Sequence, residues 1–145
     1  MTTKPSARAR DFICRYQRLV ACISPRYDIL VASCLALRQA LGGGDTVVTP
    51  GLILQELLQG FSGLRARKDI IDRFGALPLL GPDRQDHIDA AELRNHCRRS
   101  GVQVGTIDAL LAQLCIRHAL TLLTMDQDVI HVASHCPLKL WRQPR

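Results

Sequence analysis

Aromatic residues are scarce in this 145-residue chain, at 4% of the sequence. A core without them has to be assembled from Leu, Ile, Val and Ala. The apolar fraction of 47% supplies enough of these for a packed interior and excludes wholesale disorder. The length fits one compact domain, since single cores run to roughly 100–200 residues. No apolar run approaches the roughly 20 residues that span a bilayer, so no membrane role is expected. Arg15 and Arg18 likewise interrupt any apolar stretch of the kind that opens a signal peptide.

Metal ribbons and disulfide frameworks are missing too. The six cysteines (Cys14, Cys22, Cys34, Cys97, Cys115 and Cys136) contain no C-x-x-C pair. Their scatter fits a reducing, cytoplasmic compartment. Cys115 falls in an apolar run, where a thiol behaves as a small hydrophobe. The five histidines show no paired zinc spacing; His131 and His135 are four apart with no further ligand nearby. There is no nucleophile triad and no dinucleotide fingerprint. Gly42-Gly43-Gly44 precedes a strand instead of opening a helix, so it is a turn and not a phosphate cradle.

What the chain does carry is positive charge, +6 overall and unevenly placed. Residues 1–34 hold six basic residues against Asp11 and Asp28, a balance of +4, and the remainder is only +2. An excess of this sign favours a polyanion such as RNA. A solvated basic surface with an N-terminal arm explains the number equally well.

From residue 46 onward short apolar strands alternate with helices. Thr46 to Val48 reads as a buried strand, and Thr49-Pro50 as a helix start with Thr as N-cap. Ile53, Leu54, Leu57, Leu58 and Phe61 recur at helical spacing up to Gly60 and Gly63. A second helix is expected at about 64–76, followed by a short extended run at Leu77–Leu80. Asp83 caps a third helix with Asp86 in its first turn, and Gly101 stops it. Thr106 caps a fourth, Leu120–Thr124 is a strand, and Leu138–Trp141 is a last one. This alternation implies an α/β fold, a parallel sheet covered on both faces. Residues 1–34 form an atypical basic segment set apart from the domain at 35–145. Within residues 1–45, either Arg18–Ile23 or Ile29–Val31 fits a strand, and Leu35–Leu41 fits a helix.

Ligands of parallel α/β sheets collect at the carboxyl ends of the strands. Asp126 lies two residues past the strand Leu120–Thr124, with Asp128 two residues later. Asp108 occupies the first turn of its helix, where the dipole favours an ionised carboxylate. Glu56 sits mid-helix, beside the apolar stripe. Carboxylates converging from separate elements raise each other's pKa values, and a hard cation reverses that penalty. Each residue also has a plainer explanation: a first-turn helix acid for Asp108, turn acids for Asp126 and Asp128, a solvated helix residue for Glu56.

The segments Val48-Thr-Pro-Gly-Leu-Ile-Leu-Gln-Glu-Leu-Leu-Gln-Gly60, Thr106-Ile-Asp-Ala-Leu-Leu-Ala112 and Leu122-Leu-Thr-Met-Asp-Gln-Asp128 resemble PIN-domain ribonucleases, above all the VapC toxins of VapBC toxin–antitoxin pairs. The resemblance runs from about Leu35 to Trp141. It implies a three-layer α/β/α fold with a parallel central sheet, and a Mg²⁺-dependent endoribonuclease, with Mn²⁺ as a substitute. It also implies a homodimer and a VapB-like antitoxin that blocks the site. Glu56, Asp108 and Asp126 match three of the family's four acids, and Asp128 an auxiliary one. The implied reaction is hydrolysis of an RNA phosphodiester by a metal-activated water. Arg65, Arg67, Lys68, Arg94, Arg98 and Arg99 are candidate phosphate contacts, with solvated helix faces as the alternative.

One feature departs from the family pattern. An apolar first strand ending in Asp belongs at roughly residues 18–24, where this chain reads Arg-Leu-Val-Ala-Cys-Ile-Ser. Neither Asp11 nor Asp28 substitutes for that acid. An altered N-terminal frame or start and decay of the site both fit. Three readings therefore stand: a metal-dependent endoribonuclease, a catalytically impaired relative that still binds an antitoxin or RNA, and an unrelated small α/β binding protein.

Overall fold

The structure is a computed structural model that describes residues 18–21, 39, 42, 43, 46–124 and 126–141. Five strands, β1 (Arg18–Ala21), β2 (Thr46–Pro50), β3 (Leu79–Leu80), β4 (Thr121–Leu123) and β5 (Lys139–Leu140), form one sheet in the order β3-β2-β1-β4-β5. Every pairing is parallel, with Val20 level with Val48 on one side and with Leu122 on the other. Of the two stretches that suit a first strand, Arg18–Ile23 contains the one observed. β1 is central, so part of the segment set apart at 1–34 is built into the same sheet as the rest. The helix expected at 35–41, the strand alternative at Ile29–Val31, and Asp11 and Asp28 lie outside the described residues, Gln39 apart.

Among the described residues five helices accompany the strands: α1 (Gly51–Gly60), α2 (Leu64–Phe74), α3 (Arg84–Arg99), α4 (Thr106–Arg117) and α5 (Gln127–Val132). The α/β class with a parallel sheet, inferred from the alternation of strands and helices, is therefore the one observed. The start of α1 differs by one residue from the expectation. Pro50 is the N-cap, in extended conformation, and Thr49 still pairs within the sheet. The Thr49 hydroxyl bonds onward to the Pro50 carbonyl, which leaves it unavailable as a cap. The Asp83 cap of α3 is as expected and is part of a capping box: Asp83 accepts from the Asp86 N–H at 2.9 Å while Asp86 accepts from the Asp83 N–H at 2.8 Å.

α4 is the hub of the core. Leu111, Ala112 and Cys115 pack in one cluster with Ile53 and Leu57 of α1, Leu122 of β4 and Val129 of α5. Its Leu110 and Leu114 belong to a second cluster with Ala90 of α3, against which Leu52 and Leu80 pack. A helix apolar on most of its circumference is buried on most of it. At its far end, Arg117 Nη1 reaches Asp83 at 2.7 Å and Asp86 at 2.8 Å, tying the last turn of α4 to the first turn of α3. The two carboxylates hold the guanidinium pKa above its usual range, and the Asp86 backbone N–H, then Arg117, hold the Asp83 carboxyl below its own. Among the described residues no helix is long and apolar enough to cross a membrane.

Candidate metal centre

Parallel strands put all their carboxyl ends on one edge of the sheet. The chain leaves β2 there and enters α1, which carries Glu56. α4 returns the chain to the start of β4, so its own first turn, with Asp108, lies at the same edge. β4 then ends at Leu123, and Asp126 follows as the N-cap of α5. Three acids from three separate elements are thereby brought to the same edge of the sheet.

Local hydrogen bonds fix the last of them. The Thr124 hydroxyl accepts from the Asp126 N–H at 3.1 Å. Asp126 Oδ1 in turn accepts from the Asp128 N–H at 2.9 Å, which caps α5. Asp126 is half-buried and Asp128 exposed in the first turn of that helix. Thr124 was not singled out as a site residue, although a Thr two residues before an Asp is a recognisable turn pattern. α5 was likewise not expected, because six residues are too few to display a helical period.

Asp108 is the third residue of α4, two past Thr106. The cap of α4 is Gly105, not Thr106, and it contributes no side-chain hydrogen bond. The Asp108 carboxylate lies back over this glycine: a Cβ placed on Gly105 would stand 2.9 Å from Asp108 Oδ2. Burial, then the negative charges of Asp126, Glu56 and Asp128, push the Asp108 carboxyl pKa above its ordinary value of 3.8. Each of the three other acids named from the sequence therefore contributes to the field at Asp108, and no cation among the described residues offsets it. The described ion pairs are those of Arg117 with Asp83 and Asp86.

The donor set consists of carboxylate oxygens, the chemistry that Mg²⁺ and Mn²⁺ prefer. No three of the described acids approach closely enough to enclose an ion by themselves. Mg²⁺ keeps several of its waters and takes only one or two carboxylates directly, so an ion at this edge would be partly hydrated. β1 contributes Arg18-Leu19-Val20-Ala21, with no carboxylate. The residues after it, Cys22-Ile23-Ser24, lie outside the described ones.

Of the six candidate phosphate contacts, Arg65, Lys68, Arg98 and Arg99 are exposed. Arg67 donates to the Leu58 carbonyl and Arg94 to that of Val104 at 2.9 Å, so these two brace the fold. The acids themselves stand at an open edge. One concavity lies elsewhere, between α5 and β5 around Ser134 and Trp141, and another flanks α1 at Leu54 and Leu58; neither is lined by any of the four acids.

A family model described as the PIN domain matches residues 29–134. No curated protein sequence matches the chain. Among solved structures, VapBC2 from Rickettsia felis bound to a DNA fragment from their promoter is similar to it at a TM-score of 0.65 and 19% identity, covering 88% of this chain and 98% of that one. VapBC-5 from Mycobacterium tuberculosis, a member of the VapBC family of toxin–antitoxin systems, matches at 0.62 and 19%, over 86% and 97%. FitAcB from Neisseria gonorrhoeae matches at 0.56 and 16%, over 86% and 96%. At these identities the likeness is one of fold.

Proposed function

The chain belongs to the PIN domain family, and from that premise we propose that it is a Mg²⁺-dependent endoribonuclease of the toxin type, hydrolysing RNA phosphodiester bonds. PIN domains are generally nucleases. The observation that carries the reading is the placement of Glu56, Asp108 and Asp126 on three elements that meet at one edge of the sheet, where burial and then the charges of Asp126, Glu56 and Asp128 push the Asp108 carboxyl pKa up. Four acids from three elements, with no counter-cation among the described residues, suit a divalent ion. Glu56, Asp108 and Asp126 would hold it, with Mn²⁺ as a substitute, and the ion when bound supplies an activated water and offsets charge on the phosphate oxygens.

The chain's own residues do the rest. Thr124 and the α5 cap hold Asp126 in place. Asp128, exposed beside it, orients water on the solvent side of the centre. Arg65, Lys68, Arg98 and Arg99 offer phosphate contacts along α2 and α3, and an open edge suits a polymer better than a small molecule. The toxin–antitoxin relatives support a VapB-like antitoxin as partner; a homodimer working in the cytoplasm is part of the same proposal. Leu64, 88% exposed, and Ile71, 51% exposed, stand one heptad apart on α2 and give such a partner an apolar surface.

The absence of a carboxylate from β1 favours a second reading, a relative that binds metal and partner without cleaving. Cleavage of a structured RNA pool with Mg²⁺ or Mn²⁺, by the wild type and by Asp108→Ala, decides between them. Metal-dependent cutting lost in the variant supports the nuclease. A folded, monodisperse wild type that binds Mn²⁺ and leaves RNA intact overturns it in favour of the second reading.

A further inference from the structure

We infer that Gly105 is a positioning residue for the acidic centre: its bare backbone is what allows the Asp108 carboxylate to lie back over residue 105 at the acid-bearing edge of the sheet. This rests on the metal-centre reading above. Nothing else at residue 105 calls for glycine. Its φ of −68° and ψ of 157° are open to any residue. It is exposed, so no core packing excludes a side chain. As an N-cap it does less for α4 than Ser, Asn or Asp would. The atoms that an added Cβ would meet are Oδ2 of Asp108 at 2.9 Å and Cγ at 3.7 Å, both of one side chain. Among the described residues no donor holds that carboxylate from the other side, so a methyl group at 105 would turn it away from its present place. Asp108 is short, and a rotation about its first bond carries both oxygens with it.

Four proteins test this: the wild type, Gly105→Ala, Gly105→Ser and Asp108→Ala, with Gly105→Ala also placed in the Asp108→Ala background. Mn²⁺ affinity is read by electron paramagnetic resonance of the free ion, and folding by thermal melting without metal. Gly105→Ala should weaken Mn²⁺ binding about tenfold or more, the order seen when the support of a metal ligand is disturbed. Gly105→Ser should melt at the same temperature or higher, as a better helix cap, and still bind Mn²⁺ more weakly. In the Asp108→Ala background, Gly105→Ala should change affinity no further. Wild-type affinity in Gly105→Ala overturns the inference and leaves the metal centre standing. A further loss of affinity in the double variant overturns it as well, since residue 105 would then act by some route other than Asp108. A wild type without measurable Mn²⁺ binding overturns the metal centre itself, and the positioning role with it.

Discussion

Asp126 is asked to do two things, and a pair of substitutions separates them. Its Oδ1 accepts the Asp128 N–H at 2.9 Å and caps α5, and its charge contributes to the field on Asp108. Asn keeps the cap and removes the charge; Ala removes both. A lost N-cap costs about 0.5–2 kcal/mol, typically ~1. α5 has six residues, and it buries Val129 and Val132 against the core, so fraying there is felt by the whole domain. About 1 kcal/mol at this chain length corresponds to roughly 3–5 °C in melting temperature. Both variants also relieve repulsion at Asp108, by the same amount, which cancels when they are compared. Asp126→Ala should therefore melt roughly 3–5 °C below Asp126→Asn. In RNA cleavage both should fall by at least about 100-fold, the upper range for disturbing a metal ligand's surroundings. Calorimetry and a quenched-fluorophore RNA substrate read the two quantities. Equal melting of Ala and Asn would refute the cap, and wild-type cleavage by Asp126→Asn would refute the need for its charge.

Three other outcomes follow from the same structure. Because the folded Asp108 carboxyl holds its proton to higher pH than the unfolded one, its protonated form adds stability that is complete below 3.8 and is lost as pH rises through the folded value. Metal-free Asp108→Asn should thus gain on the wild type as pH rises from 4 and keep that gain at neutrality, measured by urea unfolding across pH. The Asp83 carboxyl, held low, acts in the opposite sense: its contribution is present above 3.8 and is lost as pH falls through the folded value. Arg117→Met should lower the melting temperature and reduce that acid-side loss, leaving the part that the Asp86 N–H supplies. Leu122→Ala, at a fully buried position of β4, should cost about 3 kcal/mol in chemical denaturation, within the range for large-to-small core changes.

The legible parts of this chain were those whose signal is local. Asp83 with Asp86 three residues on is a capping pattern independent of the rest of the fold, and it appears as expected. Asp126 and Asp128 follow a strand end and Asp108 a helix start, whereas mid-helix Glu56 joins them only through the resemblance of its motif; their influence on Asp108 depends on connectivity that the alternation of elements implies. Thr49-Pro50 misled by one residue because the same pair that starts a helix also ends a strand, and the ladder with Leu79 and Leu80 decides which. Arg67 and Arg94 looked like solvent-facing cations; only folding brings the Leu58 and Val104 carbonyls within their reach. The role of Gly105 was invisible because it is defined by space that a neighbouring side chain occupies.

The sheet tapers outward from its centre, from five residues in β2 and four in β1 to two in β3 and two in β5. An edge two residues long offers another chain almost no backbone to pair with, which blunts ribbon-like aggregation. Among the described residues, strand addition between two copies finds little to build on for the same reason. An association through the described helices would instead be written in side chains, where a single substitution can tune it without touching the sheet.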